Sequence, residues 1–452
     1  MGGMRAKRVV LLAMSGVRVK DAELLRLGMT LPGFVERGRV IAQLPSLGLL
    51  TIAAEAGGNR DYIYVEAGDD LGATIESVLD LRPDVVAISS LTARILDAYA
   101  IADALRSCGV TVFLGGLHAS VMPDEAGEHA DSVSVGEGEG TFRRMLEDFE
   151  RGCLQPRYVG STHDVRFTTS RAVPRFDLLE KSRYNRLTIQ TSRGCPLDCV
   201  FCGASRLISR YKIKPIEQVR RELEVISSIW PEPFIELADD NTFVNKKWAQ
   251  CLARLLAEFR VRWFTETDIS IADDDALLET LAASGCVQLL VGLESANRSA
   301  LRSVDRKGWK HRRWDDYFAA IAKVQGYGIS VNGCFILGFD EDGPEVFEAT
   351  RDFVTQSGLT EVQVTILTPF PGTALYRRLL SEDRLLKPVF WDECTLFDVT
   401  FRPAQMAPEE LRNGFVWLLQ QIYSPQASAD RKTKLRRLMR SAVASRVQES
   451  GE

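Results

Sequence analysis

The stretch LTIQTSRGCPLDCVFC, residues 187–202, sets a short β-branched, apolar run directly before three cysteines. LTIQTS reads as a strand, because such residues suit a pleated, buried surface. Cys195, Cys199 and Cys202 follow in a Cys-x3-Cys-x2-Cys spacing. Zinc needs a fourth nitrogen or sulfur ligand, and the chain has only four histidines, the nearest before the loop being His163. A redox pair needs two cysteines rather than three. An iron–sulfur cluster normally takes four thiolates, and three would leave one iron open to a substrate. Spacing alone leaves zinc and iron–sulfur open. The other cysteines, Cys108, Cys153, Cys251, Cys286, Cys334 and Cys394, are scattered and read as small core residues.

Downstream of the loop the pattern repeats as strand then helix. FIELADDN (234–241), VRWFTETDIS (261–270), VQLLVGLES (287–295), ISVNGCFILGF (329–339) and EVQVTILTPFPG (361–372) read as strands, with helical runs such as PIEQVRRELEVISSIW between them. With LTIQTS these make a partial (β/α)6 barrel, whose chemistry belongs at the C-terminal strand ends. Asp239, Asp240, Asn241, Glu266, Asp268, Glu294 and Ser295 fall there.

Upstream, RVVLLAM (8–14), YIYVEAG (62–68), VVAISSL (85–91), VTVFLGG (110–116) and DSVSVGEGE (131–139) are continuous apolar runs, as strands buried on both faces should be. Helical runs SLGLLTIAAEAGG and ARILDAYAIADALRSCG alternate with them, which predicts a doubly wound, Rossmann-like parallel sheet. Its ligand site is expected at the strand ends, where Ser89, Ser90, Thr92, Gly115, Gly116, His118, Gly136, Glu137, Gly138 and Glu139 collect. The expected organisation is a first domain over 1–151, a linker over 152–186, the barrel over 187–375 and a mainly helical extension over 376–452.

The chain of 452 residues is too long for a single ordinary core. Its formal net charge of −5 makes nucleic acid a poor default partner. The apolar run VVLLAM is short for a signal sequence, and no stretch approaches the roughly 18 apolar residues of a membrane span. A cytoplasmic protein is expected. Near the end, Lys432, Lys434, Arg436, Arg437 and Arg440 oppose Leu435, Leu438, Met439 and Ala442. This reads as a solvated helix face, or as a peripheral contact with an anionic membrane.

CPLDCVFC, with Phe201 before its last cysteine, resembles the signature loop of the radical S-adenosylmethionine (SAM) enzymes. The resemblance implies a [4Fe-4S] cluster on Cys195, Cys199 and Cys202, with SAM chelating the open iron. One electron from a flavodoxin- or ferredoxin-like donor would then cleave SAM to methionine and a 5′-deoxyadenosyl radical. GLES (292–295) resembles the segment near the SAM ribose, making Glu294 and Ser295 cofactor-binding candidates beside Phe201. GCFILGF (333–339) resembles the strand that lies against adenine, which adds Gly333. Asp239 and Glu266 are candidates for SAM or substrate contact, or are helix caps and solvated loop residues.

With PSLGL (45–49), VFLGGLHASVMPDEA (112–126) and VGEGEGTF (135–142), nearly the whole chain resembles the cobalamin-binding class of radical SAM enzymes. Ser89, Ser90, Gly115, Gly116, His118, Gly136, Glu137 and Gly138 are the implied cobalamin contacts. The chain departs from the Asp-x-His-x-x-Gly pattern that supplies cobalt with a histidine. Three residues after His118, His129, His163 and His311 stand Val121, Ser132, Arg166 and Trp314. His118 is therefore either a ligand or a strut for its loop. ILTPFPGTALYRRLL, WDECTLFDVTF and MAPEELRNGF resemble the C-terminal extension of a subgroup that includes hopanoid methylases.

The implied activity is C-methylation of an unactivated carbon in a small-molecule or lipid substrate, through a 5′-deoxyadenosyl radical and methylcobalamin. The alternative is a radical SAM oxidoreductase, cyclase or rearrangement enzyme that transfers no methyl group. A cobalamin sensor would have no use for the three-cysteine loop. A methylthiotransferase needs three more cluster cysteines upstream, where only Cys108 and Cys153 lie.

Overall fold

Two six-stranded parallel sheets organise the chain. The computed structural model describes residues 7–14, 44–161, 164–204 and 207–449; His163 lies outside them. The first sheet has the order β2-β1-β3-β4-β5-β6. Its strands are β1 (Lys7–Met14), β2 (Arg60–Glu66), β3 (Val85–Ser90), β4 (Thr111–Gly115), β5 (Ser132–Val135) and β6 (Arg157–Val159). Successive residues of β1 feed opposite cores. Val10 and Leu12 join one, and Val9, Leu11 and Ala13 the other. That two-sided burial is why the strand is apolar without alternation. Helices α1 (Leu47–Ala56), α2 (Leu71–Asp80), α3 (Ile95–Ser107), α4 (Leu117–Val121), α5 (Pro123–His129) and α6 (Gly138–Arg151) connect the strands. Asp70 caps α2 by accepting from the Ala73 N–H at 3.0 Å. Gly152 ends α6 in the left-handed conformation, φ +72°.

The run DSVSVGEGE is not one strand. β5 stops at Val135, the chain turns at Gly136 (φ +83°), and α6 begins at Gly138. The stretch read as a linker contains β6, which pairs in parallel with β5.

The second sheet, β14-β13-β12-β11-β10-β7, is an open barrel of six strands. They are β7 (Leu187–Ile189), β10 (Phe234–Leu237), β11 (Arg262–Thr267), β12 (Cys286–Glu294), β13 (Ser330–Leu337) and β14 (Glu361–Ile366). A separate antiparallel pair, β8 (Ser192–Arg193) and β9 (Lys212–Ile213), flanks the cysteine loop. Ile235, Leu237, Trp263, Leu289, Val291, Val331, Phe335, Val362 and Val364 pack outward against α7 (Ile216–Ile229), α8 (Lys246–Glu258), α9 (Asp275–Ala283), α10 (Tyr317–Gly326) and α11 (Val346–Ser357). The intervening residues, among them Glu236, Glu266 and Cys334, therefore face the lumen.

The extension comprises α12 (Ala374–Ser381), α13 (Pro408–Ile422) and α14 (Pro425–Glu449). Leu411, Phe415, Leu418 and Leu419 of α13 join the barrel core. Phe390, Trp391 and Cys394 instead complete a core of the first sheet. The extension thus packs on both halves of the molecule. On α14, Lys432, Arg436, Arg437 and Arg440 are exposed, while the Lys434 Nζ meets the Thr355 carbonyl at 3.3 Å. The opposing Leu438, Met439 and Ala442 lie outside the described side chains. Among the described residues no helix is long and apolar enough to cross a membrane.

Candidate functional site

The cysteine loop is anchored at its base by a carboxylate. Asp239, just past β10, accepts from the Thr191 and Ser192 N–H groups at 2.6 and 2.9 Å and from the Thr191 hydroxyl at 2.5 Å. Burial pushes its carboxyl above the usual range, against those hydrogen bonds. Gly194 comes next at φ +76°, and a Cβ there would stand 2.9 Å from the Arg210 carbonyl carbon. Glycine is needed here both for the positive φ and for the close approach. Beyond it, Cys199 pairs in an antiparallel bridge with Asp305, and the Val200 N–H donates to the Val304 carbonyl at 2.9 Å. The Val200 carbonyl accepts from Leu375 at 2.9 Å, so α12 also holds the loop.

All three thiols are half-buried and none is in a disulfide. Burial raises the Cys199 thiol, opposed by the Lys310 ammonium, and Cys195 and Cys202 lie within its electrostatic reach. Among the described residues no three His, Cys, Asp or Glu side chains close on a single ion. Three soft sulfur donors on one anchored loop fit an iron–sulfur cluster. The Asn241 amide is 3.9 Å from the Cys195 Sγ and donates to Asp268 at 2.8 Å.

The barrel mouth carries a second set of charges. Glu294, which ends β12, has φ +68°, a conformation that costs a non-glycine residue about 1–2 kcal/mol. The register with β13 shifts between Gly292 and Glu294. This bulge aims the Glu294 carboxylate at Lys310, 2.7 Å away in a buried pair. Gly292 makes the room, since a Cβ there would sit 2.4 Å from the Glu294 Oε1. Burial alone would lower the Lys310 ammonium, but Glu294 overrides it and the net direction is up.

Glu266 is open to the lumen, yet the surrounding protein strips it of bulk water. That desolvation, with Glu236, Asp240, Asp239 and Glu294 around it, raises its carboxyl to about 7. SAM carries a sulfonium, so an acidic lumen beside the cysteine loop suits it. Phe201 packs on Phe339, ring centres 6.0 Å apart. Asp342, fully buried, accepts from the Gly338 and Phe339 N–H groups at 3.0 Å each and fixes the turn after β13.

Three expected SAM contacts are placed elsewhere. Asp239 is consumed in anchoring the loop. Ser295 is buried, its hydroxyl accepting from the Asn297 N–H at 3.0 Å. Gly333 faces the buried core outside the barrel, where a Cβ would meet Leu359 at 2.7 Å; its neighbour Cys334 takes the lumen side.

The ends of the first sheet open into a cavity of about 290 Å³. Ser89, Gly115, Gly116, Gly136, Glu137 and Gly138 line it, as the sequence predicts, together with α1 and α6. Gln190, Arg193, Ile208 and Ala238 close it from the barrel side. The wall is mostly apolar, and at Gly48 a Cβ would meet no protein atom within 4 Å. An apolar slot at parallel strand ends, with backbone exposed at glycines, fits an inserted ring of cobalamin.

Two expected contacts lie off this wall. The Ser90 hydroxyl turns to the Leu91 carbonyl at 2.9 Å. His118 is fully buried between Thr92, with Nδ1–Oγ1 3.2 Å, and Glu125, with Nε2–Oε1 3.3 Å, under the edge of Trp391. Burial lowers its pKa, and it serves as a strut rather than a cobalt ligand.

Sequence reasoning missed Lys310, hidden in the charged tract RKGWKHRR, and Arg193, hidden between strand and loop. Neither position carries a local signal, because each acquires its role through a partner distant in sequence.

Residues 189–354 match the Radical SAM superfamily, residues 38–146 the B12 binding domain, and residues 373–450 a domain of unknown function (DUF4070). The chain is 29% identical to the bacteriochlorophyllide d C-12(1)-methyltransferase of Chlorobaculum tepidum, over 76% of this chain and 75% of that protein. It is 28% identical to the hopanoid C-2 methylase of Rhodopseudomonas palustris, over 77% of this chain and 66% of that protein. Among solved structures it resembles the radical SAM methyltransferase TsrM of Kitasatospora setae with cobalamin and a [4Fe-4S] cluster bound. That likeness has a TM-score of 0.65 at 15% identity, covers 91% of this chain and 85% of that one, and concerns the fold.

Proposed function

We propose that this chain, which belongs to the B12-binding radical SAM family, is a C-methyltransferase acting on an unactivated carbon. The observation that carries the reading is the shared wall. The cavity at the first sheet's strand ends is closed by residues of the same segment that leads into the cysteine loop. When bound, the cluster with SAM supplies a 5′-deoxyadenosyl radical and cobalamin supplies the methyl group.

In this reading Cys195, Cys199 and Cys202 hold the cluster. Glu294 and Glu266 receive SAM at the acidic mouth, with Phe201 packed beneath. Ser89, Gly115, Gly116, Gly136, Glu137 and Gly138 admit cobalamin. Asp239 and Asn241 keep the loop in position, and Lys310 holds the Glu294 carboxylate. The first 151 residues and the barrel over 187–375 are the two cofactor-bearing units, and the segment after 375 straps them together. The substrate is a small molecule or lipid, both kinds being named among the relatives. The reading carries a reducing flavodoxin- or ferredoxin-like donor and a cytoplasmic site of action, with the basic face of α14 as a peripheral membrane contact.

The test is anaerobic reconstitution with iron, sulfide and hydroxocobalamin, followed by desalting and metal analysis. About four irons and about one cobalt per chain are expected. The variant with Cys195, Cys199 and Cys202 all replaced by Ala should keep cobalt, lose iron and form no 5′-deoxyadenosine. Iron without cobalt in the wild type would favour the radical enzyme that transfers no methyl group. Iron and 5′-deoxyadenosine in the triple variant would sink the assignment of the loop.

A further inference from the structure

A buried ion cluster joins the two sheets at the cavity wall. On the first-sheet side stand Glu137 and Glu139, at the start of α6; on the barrel side stand Arg193 of β8 and Lys212 of β9. The Arg193 guanidinium donates to the Glu139 Oε1 at 2.7 Å, lies 3.4 Å from Glu137 and stacks 4.6 Å above the Phe167 ring. The Lys212 Nζ donates to both Glu137 oxygens at 2.5 and 2.7 Å. Glu137 and Glu139 are buried, so the four charges have little recourse to water.

Two features make this cluster more than a brace. Arg193, Glu137 and Glu139 all line the 290 Å³ cavity, so a molecule entering it meets the cluster directly. Arg193 also stands two residues before Cys195, with only Gly194 between. That glycine is clamped against Arg210 and Tyr211 with no room for a Cβ, leaving the segment little slack. A displacement of Arg193 at the cavity is therefore delivered to the first cysteine.

We propose that Arg193 is a positioning residue that couples occupancy of the cobalamin cavity to the geometry of the cluster loop. The inference rests on the cobalamin reading above and goes beyond it, because two cofactors on one chain need not influence each other. Coupling between sites is reciprocal: if cobalamin favours the cluster-bearing loop, the cluster must tighten cobalamin by the same factor.

The full chain is titrated with hydroxocobalamin in its iron-free and iron-loaded forms, and the ratio of the two Kd values is read. In the wild type the iron-loaded form should bind about fivefold tighter or more, the lower end of typical coupling. Arg193→Met should bring the ratio to about one, whatever it does to either affinity. Arg193→Lys, which keeps the charge but loses the planar fork, should retain part of the ratio. Glu139→Gln removes the arginine's partner without touching the loop segment. It should lower the ratio as well, and it decides the matter if Arg193→Met fails to load iron. A wild-type ratio of one, or an unchanged ratio in both Arg193→Met and Glu139→Gln, overturns the coupling while leaving the cobalamin reading intact. No binding of hydroxocobalamin by either wild-type form overturns both.

Discussion

Glu294 is where local rules are broken for a visible return. A left-handed glutamate, a bulge and a glycine with no room for a side chain together bring one carboxylate onto Lys310. The motif GLES announced a special strand end, but Lys310 was silent because its partner lies sixteen positions earlier. Removing one member of a buried pair leaves the other charge unmatched, at a cost of about 3–5 kcal/mol. Lys310→Met should lose that much in a urea titration; a loss below about 1 kcal/mol would mean that the pair is solvated. Glu266 makes a prediction in pH. Its carboxyl is raised to about 7, so it ionises in the lumen only as pH passes that value. Binding of the cationic SAM should tighten as pH rises through about 7, and Glu266→Gln should flatten that profile. The sign for stability is the reverse. A folded-state pKa above the unfolded one gives a contribution that is present at low pH and is lost as pH rises toward 7.

At the scale of elements, continuous apolar runs marked the strands well, because parallel strands covered on both faces leave little else to read. The short pieces were illegible. β6 has three residues, too few for any period, and the turn at 391–393 reveals itself only by what it covers. That turn carries Trp391, 1% exposed, whose indole N–H donates to the Glu125 Oε1 at 3.0 Å in the first domain. The same contact explains His118, which a sequence reader is drawn to as a ligand and which packs beneath the indole instead. Trp391→Ala should cost about 3–5 kcal/mol in thermal or chemical unfolding, and a near-neutral change would show that the extension does not fasten the first domain. Helix α1 offers a separable test. Gly48 lies in the first turn of α1 with open space at its Cβ position, so Gly48→Leu should leave stability within about 0.5 kcal/mol while filling the cavity and weakening hydroxocobalamin about tenfold or more. Unchanged affinity in a titration would place cobalamin elsewhere.

Across the whole molecule, two sheets present their strand ends to one another and an extension is packed on both. The order of the halves was readable from strand–helix alternation and the cysteine spacing. The face between them was not, since Arg193 and Glu139 meet only once both halves are folded. In the proposed function this arrangement gives the cysteine loop and the first sheet's cavity a common wall, which suits transfer of a methyl group to a carbon radical. The measurement that tests this most directly is the set of nucleosides formed from SAM by the anaerobically reconstituted, reduced protein, with and without bound cobalamin. S-adenosylhomocysteine should appear alongside 5′-deoxyadenosine only when cobalamin is bound. 5′-Deoxyadenosine without S-adenosylhomocysteine, in protein carrying about one cobalt beside about four irons per chain, would contradict it.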